Sequence, residues 1–261
     1  MISDFFLQLD IYSPLGITIL VVAGFLVGFI NTVAGSGTII TYSVFMAFGL
    51  PPTFANGTIR MGVIMQTLAS SLNFNKQKVL DIAKGLLLGL PTVIGSVIGA
   101  HIASHINQEI FKYILAGVMF FMLLFLFLNP KRWIEGKLSV SRKKPTILHY
   151  FVFLVIGFYG GFIHIGVGIF LLAALVLVSG YDLVKANALK VFIVLLYSPF
   201  ALAVYLYNDQ VHFGMALISS VGNVLGGILA SHLAVSWGAH FVRWFLVVII
   251  ILFTAKILGL F

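Results

Sequence analysis

The residues best suited to ligand chemistry lie in a polar, glycine-rich stretch inside the nonpolar run between residues 15 and 50. We predict five substrate-binding residues there: Asn31, Gly35, Ser36, Gly37 and Thr38. Glycine is a poor helix former, so a helix in this run is expected to break here. If the run enters a membrane, the break leaves backbone groups unpaired, which is tolerated only inside protein or beside a watery cavity.

A second stretch of this kind, residues 157–168, begins 133 positions after Gly24, its counterpart in the first half. It supplies the candidates His164, Gly166 and Gly168, and His164 stands where the first copy has Asn31. A neutral imidazole can donate to an anion, and a protonated one can couple transport to proton movement. The alternative is a buried histidine satisfied within a packed break. Interrupted segments in corresponding halves are typical of transporter binding sites.

Two basic residues, Arg60 and Lys190, follow the two interruptions at comparable positions. Each lies in a long nonpolar segment, where a charge is costly and usually functional. The alternative is that each side chain extends to the membrane surface. Thr58 and Asn187 precede them and complete the predicted site, although hydroxyl groups often bond to their own helix instead.

The distribution of charge predicts an anionic substrate. All seven carboxylates fall at termini or near segment ends: Asp4, Asp10, Asp81, Glu109, Glu135, Asp182 and Asp209. This argues against paired-carboxylate hydrolysis and against a buried carboxylate proton relay. Backbone N–H groups at the start of a new helix carry partial positive charge and suit an anion.

Other function classes lack the residues they need. The absence of cysteine excludes disulfides, thiolate metal sites and cysteine nucleophiles. His101 and His105 have metal-ligand spacing, but the second half has Ile228 opposite His101, so we predict no metal and no cofactor. An intramembrane enzyme is an alternative without a convincing Ser/His/Asp set, and we predict that the chain is not an enzyme.

The composition is that of an all-α integral membrane protein. Of 261 residues, 61% are hydrophobic and 8% charged, and the mean hydropathy is +1.14. We predict a single membrane domain, 1–261, with nonpolar runs at about 54–73, 83–104, 110–129, 184–207, 211–232 and 241–259. Six of the 15 Lys and Arg residues lie between residues 131 and 144, as a cytoplasmic anchor does, so nucleic-acid binding is not expected.

The two halves are related in sequence. Residues 95–106 and 222–233 match at six of twelve positions, and residues 24–31 and 157–164 match at five of eight. We predict repeat one at 15–129, a basic linker at 130–147 and repeat two at 148–261. Glycines four residues apart, Gly95 with Gly99 and Gly222 with Gly226, predict close helix packing.

The repeats are predicted to be inverted. If each broken segment is a re-entrant-like helix pair that returns to its starting side, each half adds three transmembrane helices, and the second half enters the membrane in the opposite direction. Twelve Lys and Arg residues then lie inside and three outside, against ten and five for eight full crossings. This places both termini outside and the 131–144 linker in the cytoplasm.

Four motifs carry a family resemblance: Gly28-x-x-Asn31-x-x-Ala34-Gly35-Ser36-Gly37, Gly49-Leu-Pro-Pro52, Thr58-Ile-Arg60 and Gly157-Phe-Tyr-Gly-Gly161. With the duplicated breaks and the basic linker, the chain resembles the sulfite exporter TauE/SafE family of bacterial membrane permeases. The resemblance implies movement of sulfite, sulfoacetate and related organosulfur anions out of the cell. His164 and Ile165 depart from the Gly-Pro-Gly-x-Gly-like residues that relatives often have there.

The sequence therefore predicts a multi-pass permease of the bacterial inner membrane that exports a small sulfur-containing anion, such as sulfite or an organosulfonate. Its partners are the lipid bilayer and the anion, which binds between the two broken helices near the bilayer midplane. The alternative is import of another small anion, or of a metal–anion complex, by the same architecture. The sequence leaves homo-oligomer formation open.

Overall fold

The structure is a computed structural model that describes residues 7, 9–111, 113, 114, 117, 145–238, 241, 242, 244 and 245. The elements in this part are helical, as predicted. They are α1 (Pro14–Val33), α2 (Thr38–Ala47), α3 (Pro52–Lys76), α4 (Ile82–His105), α5 (Ile147–Phe162), α6 (Val167–Ala173), α7 (Leu183–Tyr207) and α8 (Phe213–Ser236). A π-helical turn, Ala174–Val178, continues α6. The predicted 131–144 linker and most of the 110–129 and 241–259 runs lie outside the described residues.

Both predicted interruptions are present. The first separates α1 from α2 at residues 34–37, and the second separates α5 from α6 at residues 163–166. Gly35 and Gly166 have φ values of +82° and +72°, in the left-handed region that glycine enters without a Cβ penalty. Gly35 thus provides the reversal just after α1, and Gly166 provides the one just before α6.

Within the described residues, four helices, α1, α4, α7 and α8, are long and apolar enough to cross a membrane. Helix α3 has 25 residues, or about 38 Å at 1.5 Å per residue, but it is less apolar than these four. Its polar residues Asn56, Arg60 and Gln66 are at most 1% exposed. Because other helices cover these side chains, α3 can carry them at membrane depth.

The spaced glycines bring helix backbones into contact, as predicted. A Cβ built on Gly95 or Gly99 of α4 would lie 2.1 or 2.0 Å from a backbone oxygen of α5. A Cβ on Gly222 or Gly226 of α8 would lie 1.9 or 2.1 Å from a backbone oxygen of α1. Each first helix therefore packs against a helix from the other half of the chain, through surfaces that admit no side chain.

Contacts along the helices fix their relative directions in the first half. Gly24 of α1 approaches Ser219, and Gly28 approaches Asn223, so α1 and α8 run in the same direction. Helix α3 also runs with α8, because its Gly62 meets Asn223 and its Asn73 donates to Ser231 Oγ at 2.8 Å. Since α1 and α3 share a direction, α2 returns the chain toward the side where α1 begins.

The second half repeats this pattern with other helices. Helix α5 runs with α4, because Gly157 approaches Thr92 and Gly161 approaches Ser96. Helix α7 also runs with α4, because Gly85 meets Phe192 and Gly89 meets Leu196. Helices α5 and α7 therefore share a direction, and the segment between them returns the chain.

Candidate functional site

The two interruptions meet backbone to backbone. The Gly168 amide donates to the Gly35 carbonyl oxygen at 3.2 Å. A Cβ on either glycine would lie 2.4 Å from the Cα of the other. Real Cβ atoms do not approach other atoms this closely, so the contact requires glycine on both sides. Two breaks 133 residues apart in sequence thus form one junction.

A cavity of about 20 Å³ lies beside this junction. Its polar lining comes from Asn31, Gln66, Thr67, His164 and Lys190. The remaining wall is nonpolar and consists of the two junction glycines with Val63, Val167, Val191 and Val194. This volume accommodates a water-sized group, so a larger ligand requires the walls to separate.

Lys190 connects α7 to the carboxyl end of α1. Its side chain is 1% exposed, and Nζ donates to the carbonyl oxygens of Asn31 and Thr32, both at 3.0 Å. A third bond, of 2.6 Å, reaches Oδ1 of Asn187. Helix carboxyl ends carry partial negative charge and unpaired carbonyls, which a cation stabilises. All three ammonium hydrogens therefore have acceptors. A ligand that binds Lys190 must share one of these hydrogens with its present acceptor or displace that acceptor.

Arg60 makes the corresponding connection from α3 to the carboxyl end of α5. Its fully buried guanidinium donates from Nη1 to the Gly160 oxygen at 3.1 Å and from Nη2 to the Gly161 oxygen at 2.5 Å. Its Cζ lies 4.8 Å from the centre of the Tyr205 ring, a cation–π distance. Arg60 is absent from the cavity lining. The burial of both cations excludes the alternative in which they extend to the membrane surface.

The polar groups of the first interruption are buried and incompletely paired. The Thr38 amide donates to Asn31 Oδ1 at 3.2 Å, so the amide side chain spans the break. Ser36 Oγ and Thr38 Oγ1 are buried and have no hydrogen-bond partner. Neither hydroxyl bonds to its own helix, which was the alternative considered for them. Both residues, with Gly37, lie between one and three positions after the lining residue Gly35, but outside the lining itself.

Three further predicted residues also lie outside the cavity lining. Thr58 follows the back-bonding alternative, because its hydroxyl donates to the Phe54 oxygen at 2.7 Å and accepts from the His212 amide at 2.9 Å. Asn187 acts through Lys190, and its Nδ2 is buried without a partner. Gly166 forms the left-handed reversal before α6.

His164 lines the cavity from the second interruption. It is 3% exposed, and its Nδ1 lies 3.1 Å from the hydroxyl oxygen of Tyr197 on α7. This contact orients the imidazole. It also fits the alternative of a histidine satisfied within the packed break, and both interpretations remain compatible with this geometry.

Sequence reasoning missed Gln66 and Thr67. Gln66 donates from Nε2 to Thr32 Oγ1 at 2.9 Å, while its buried Oε1 has no partner. Thr67 donates to the Val63 carbonyl oxygen at 2.7 Å. The available signal was helical spacing: Val63, Gln66 and Thr67 are related by three and four positions and share one face of the helix that carries Arg60.

The buried charge around the junction is positive. Among the described residues, the buried charged side chains are Arg60 and Lys190. The described carboxylates Asp10, Asp81, Glu109 and Asp209 are exposed, and Asp182 is half-buried. A negative ligand in the cavity would therefore meet a cation without a buried competing carboxylate from this part of the chain.

Known proteins resemble the chain over most of its length. A probable membrane transporter protein of Sinorhizobium sp., ORF9, is 27% identical over 241 residues, which cover 92% of this chain and 91% of that protein. The probable membrane transporter protein YfcA of Escherichia coli is 26% identical and covers 97% and 93%. A probable membrane transporter protein of Haemophilus influenzae is 26% identical and covers 92% and 93%. No solved structure matches the chain.

The family assignment rests on the same regions as the site. The model of the family described as "Sulfite exporter TauE/SafE" matches residues 20–257, a range that contains both interruptions, both buried cations and the cavity. The full-length similarity to membrane transporters and the four apolar helices agree with this match. The chain therefore belongs to the sulfite exporter TauE/SafE family.

Proposed function

We propose that this chain is a permease that exports a small sulfur-containing anion, such as sulfite or an organosulfonate. The observation that carries the proposal is the cavity at the junction of the two helix breaks, with the Lys190 ammonium in its wall. The family supports transport of such an anion, because its description names sulfite export.

The chemistry of the cavity supports an anion. Lys190 supplies a positive charge, while Asn31, Thr67 and His164 add polar side chains. A ligand oxygen can take over one ammonium hydrogen from a backbone carbonyl, since the bonds to the Asn31 and Thr32 oxygens have an ordinary length of 3.0 Å. The unpaired hydroxyls of Ser36 and Thr38 lie in the adjoining break and could donate once the junction opens.

We also propose that the two halves are inverted repeats around this cavity, with boundaries at 15–129 and 148–261. Helices α1 and α3 share a direction, as do α5 and α7, which supports a re-entrant first segment in each half. The two sets run in opposite directions: Asn56, near the start of α3, bonds to Tyr205, near the end of α7, at 2.6 Å. Farther along, Gln66 and Lys190 line the same cavity. We further propose that the protein lies in the bacterial inner membrane with both termini outside and the basic linker in the cytoplasm, the orientation that the distribution of Lys and Arg supports.

The negative charge of the proposed substrate supports export. An inside-negative membrane potential favours outward movement of an anion by about 2.3 kcal/mol per 100 mV for each charge. Export therefore needs no carboxylate proton relay. The anion would leave the junction as its two walls separate toward the outside, a movement that inverted repeats support through alternating access.

Flux measurements in proteoliposomes test the proposal. We expect sulfite or sulfonate flux that increases with the imposed potential and falls at least tenfold in Lys190→Gln, because the variant removes the charge of the cavity. Lys185→Gln is the matched control, because Lys185 lies on the same helix but is exposed and paired with Asp182 at 3.3 Å. A flux that does not depend on the membrane potential, or that is equal in Lys190→Gln and Lys185→Gln, would contradict the proposal.

A further inference from the structure

We infer that Gln66 and Thr67 select an anion that also carries a hydrogen-bond donor, such as the hydroxyl group of a hydroxyalkanesulfonate. Both residues line the cavity and belong to the same helix, α3. The inference rests on the proposed function and refines it, because it adds a second requirement to the negative charge that Lys190 recognises.

Gln66 presents an unused hydrogen-bond acceptor. Its side chain is 1% exposed, and its Nε2 donates to Thr32 Oγ1 at 2.9 Å. Thr32 is not a lining residue, so the donor end of the amide is engaged outside the cavity lining. The carbonyl oxygen Oε1 is buried without a partner in the described part of the chain, which is unusual for a buried polar atom. Since a carbonyl oxygen can only accept, its partner must be a donor on the ligand.

Thr67 offers a second acceptor. Its hydroxyl donates to its own helix, where Oγ1 lies 2.7 Å from the Val63 carbonyl oxygen and 3.2 Å from the Ile64 carbonyl oxygen. A hydroxyl group has one hydrogen and two lone pairs, so this back-bonding leaves only lone pairs for a ligand. Neither side chain of α3 can therefore bind the oxygen of an anion in this arrangement, but both can bind a hydroxyl hydrogen.

The donors of the cavity come from other helices. Lys190 lies on α7, and Asn31 lies near the end of α1. Asn31 Oδ1 accepts from the Thr38 amide at 3.2 Å, so Nδ2 is the end of that side chain that can donate to a ligand. The wall formed by α1 and α7 thus suits the oxygens of an anion, and the wall formed by α3 suits a donor on the same molecule.

The nonpolar lining makes the acceptors decisive. Four valines complete the wall: Val63, Val167, Val191 and Val194. A hydroxyl group that met only these side chains would lose its hydration without compensation, and a methyl group would bind better in its place. Preference for a hydroxyl over a methyl group therefore requires an acceptor in the wall. The cavity volume of about 20 Å³ admits a hydroxyl group, which has the size of a water molecule.

Two sulfonates of equal charge isolate the effect of the donor. Hydroxyethanesulfonate, with its hydroxyl group on the terminal carbon, and n-propanesulfonate have nearly the same shape and differ in a terminal hydroxyl or methyl group. We expect wild-type protein in proteoliposomes at zero potential to transport hydroxyethanesulfonate at least ~5-fold faster than propanesulfonate, the effect of about one hydrogen bond. Both are supplied at equal, subsaturating concentrations, so the ratio of fluxes measures discrimination between them.

Two substitutions locate the acceptors. Gln66→Met keeps much of the side-chain length without the amide, and Thr67→Val keeps the shape without the hydroxyl. Each should lower the ratio of hydroxyethanesulfonate flux to propanesulfonate flux by ~3-fold or more, because one acceptor is lost. Gln77→Met is the matched control, since Gln77 ends the same helix, donates to the Ser231 carbonyl oxygen and is absent from the cavity lining. Its flux ratio should equal that of the wild type.

The outcomes separate this inference from the proposed function. Equal transport of the two sulfonates by the wild type, or faster transport of propanesulfonate, would overturn selection for a donor while leaving an anion permease. A folded Gln66→Met or Thr67→Val protein with the wild-type ratio, or an equal decrease in Gln77→Met, would overturn the role of that residue. Thr67→Val tests the acceptor wall independently if Gln66→Met does not fold. If neither sulfonate nor sulfite is transported, the proposed function itself fails.

Discussion

Replacing Arg60 by methionine should destabilise the protein by removing the cap from the carboxyl end of α5. The guanidinium is fully buried, and it holds the oxygens of Gly160 and Gly161 at 3.1 and 2.5 Å. Methionine keeps much of the nonpolar stem but offers no donor. The two carbonyl oxygens then lose their charged partner inside the protein.

The magnitude follows from these contacts. Leaving a buried acceptor unsatisfied costs about 1–3 kcal/mol, so two acceptors give about 2–6 kcal/mol. Tyr205 Oη remains 3.3 Å from the Gly161 oxygen and can partly compensate, which favours the lower half of this range. A loss of about 3 kcal/mol corresponds to a melting temperature about 6–12 °C lower for a protein of roughly this size.

The decrease in melting temperature is measured by heating detergent-purified protein and determining the remaining folded fraction by size-exclusion chromatography. Arg60→Lys should be intermediate, because an ammonium keeps the charge but cannot reproduce the fork that reaches both oxygens. Lys76→Met is the control, since Lys76 is exposed on the same helix and its loss should change stability by about 0.5 kcal/mol or less. An Arg60→Met variant as stable as Lys76→Met would refute the reasoning.

Two further predictions concern the junction and the helix directions. Gly35→Ala should lower the unfolding free energy by at least about 2 kcal/mol, because φ is +82° and the new methyl would overlap the opposite break. In the control Gly117→Ala, the new methyl meets no atom within 4 Å, and the unfolding free energy should stay within about 1 kcal/mol of wild type. An equal decrease in the two variants would contradict the tight contact between the breaks. The chain has no cysteine, so single-cysteine labelling in cells needs no background removal. We expect a membrane-impermeant thiol reagent to label Tyr12→Cys and Tyr207→Cys from outside, and Asn75→Cys only after permeabilisation. Labelling of Tyr12→Cys and Asn75→Cys from the same side would contradict re-entry by α1 and α2.

The helices and their breaks were predictable because their signals are local. Nonpolar runs give the bounds of α4, α7 and α8 to within a few residues, and clustered glycines locate both interruptions. The glycine pairs of α4 and α8 were also readable as packing surfaces, since their four-residue spacing aligns them on one helix face. These features depend on neighbours in sequence.

The partners inside the site were not predictable, because they come from distant parts of the chain. Lys190 bonds to the carbonyls of Asn31 and Thr32, about 159 positions away, and no residue type marks a backbone acceptor. Arg60 was predicted to belong to the substrate site, but it is absent from the cavity lining and bonds to the carbonyl oxygens at the end of α5. Gln66 was missed because an amide within a long helix is unremarkable until its surroundings are known.

Protection of an introduced cysteine from chemical modification shows whether the anion binds in this cavity. Val194→Cys places a thiol in the wall shared by Lys190 and His164, while Tyr207→Cys, at a position 90% exposed on the same helix, lies outside it. We expect methanesulfonate to slow modification of Val194→Cys in a saturable manner, Lys190→Gln to abolish this protection, and Tyr207→Cys to be unaffected. If a transported anion leaves the modification rate of Val194→Cys unchanged, the junction of the two breaks is not the binding site.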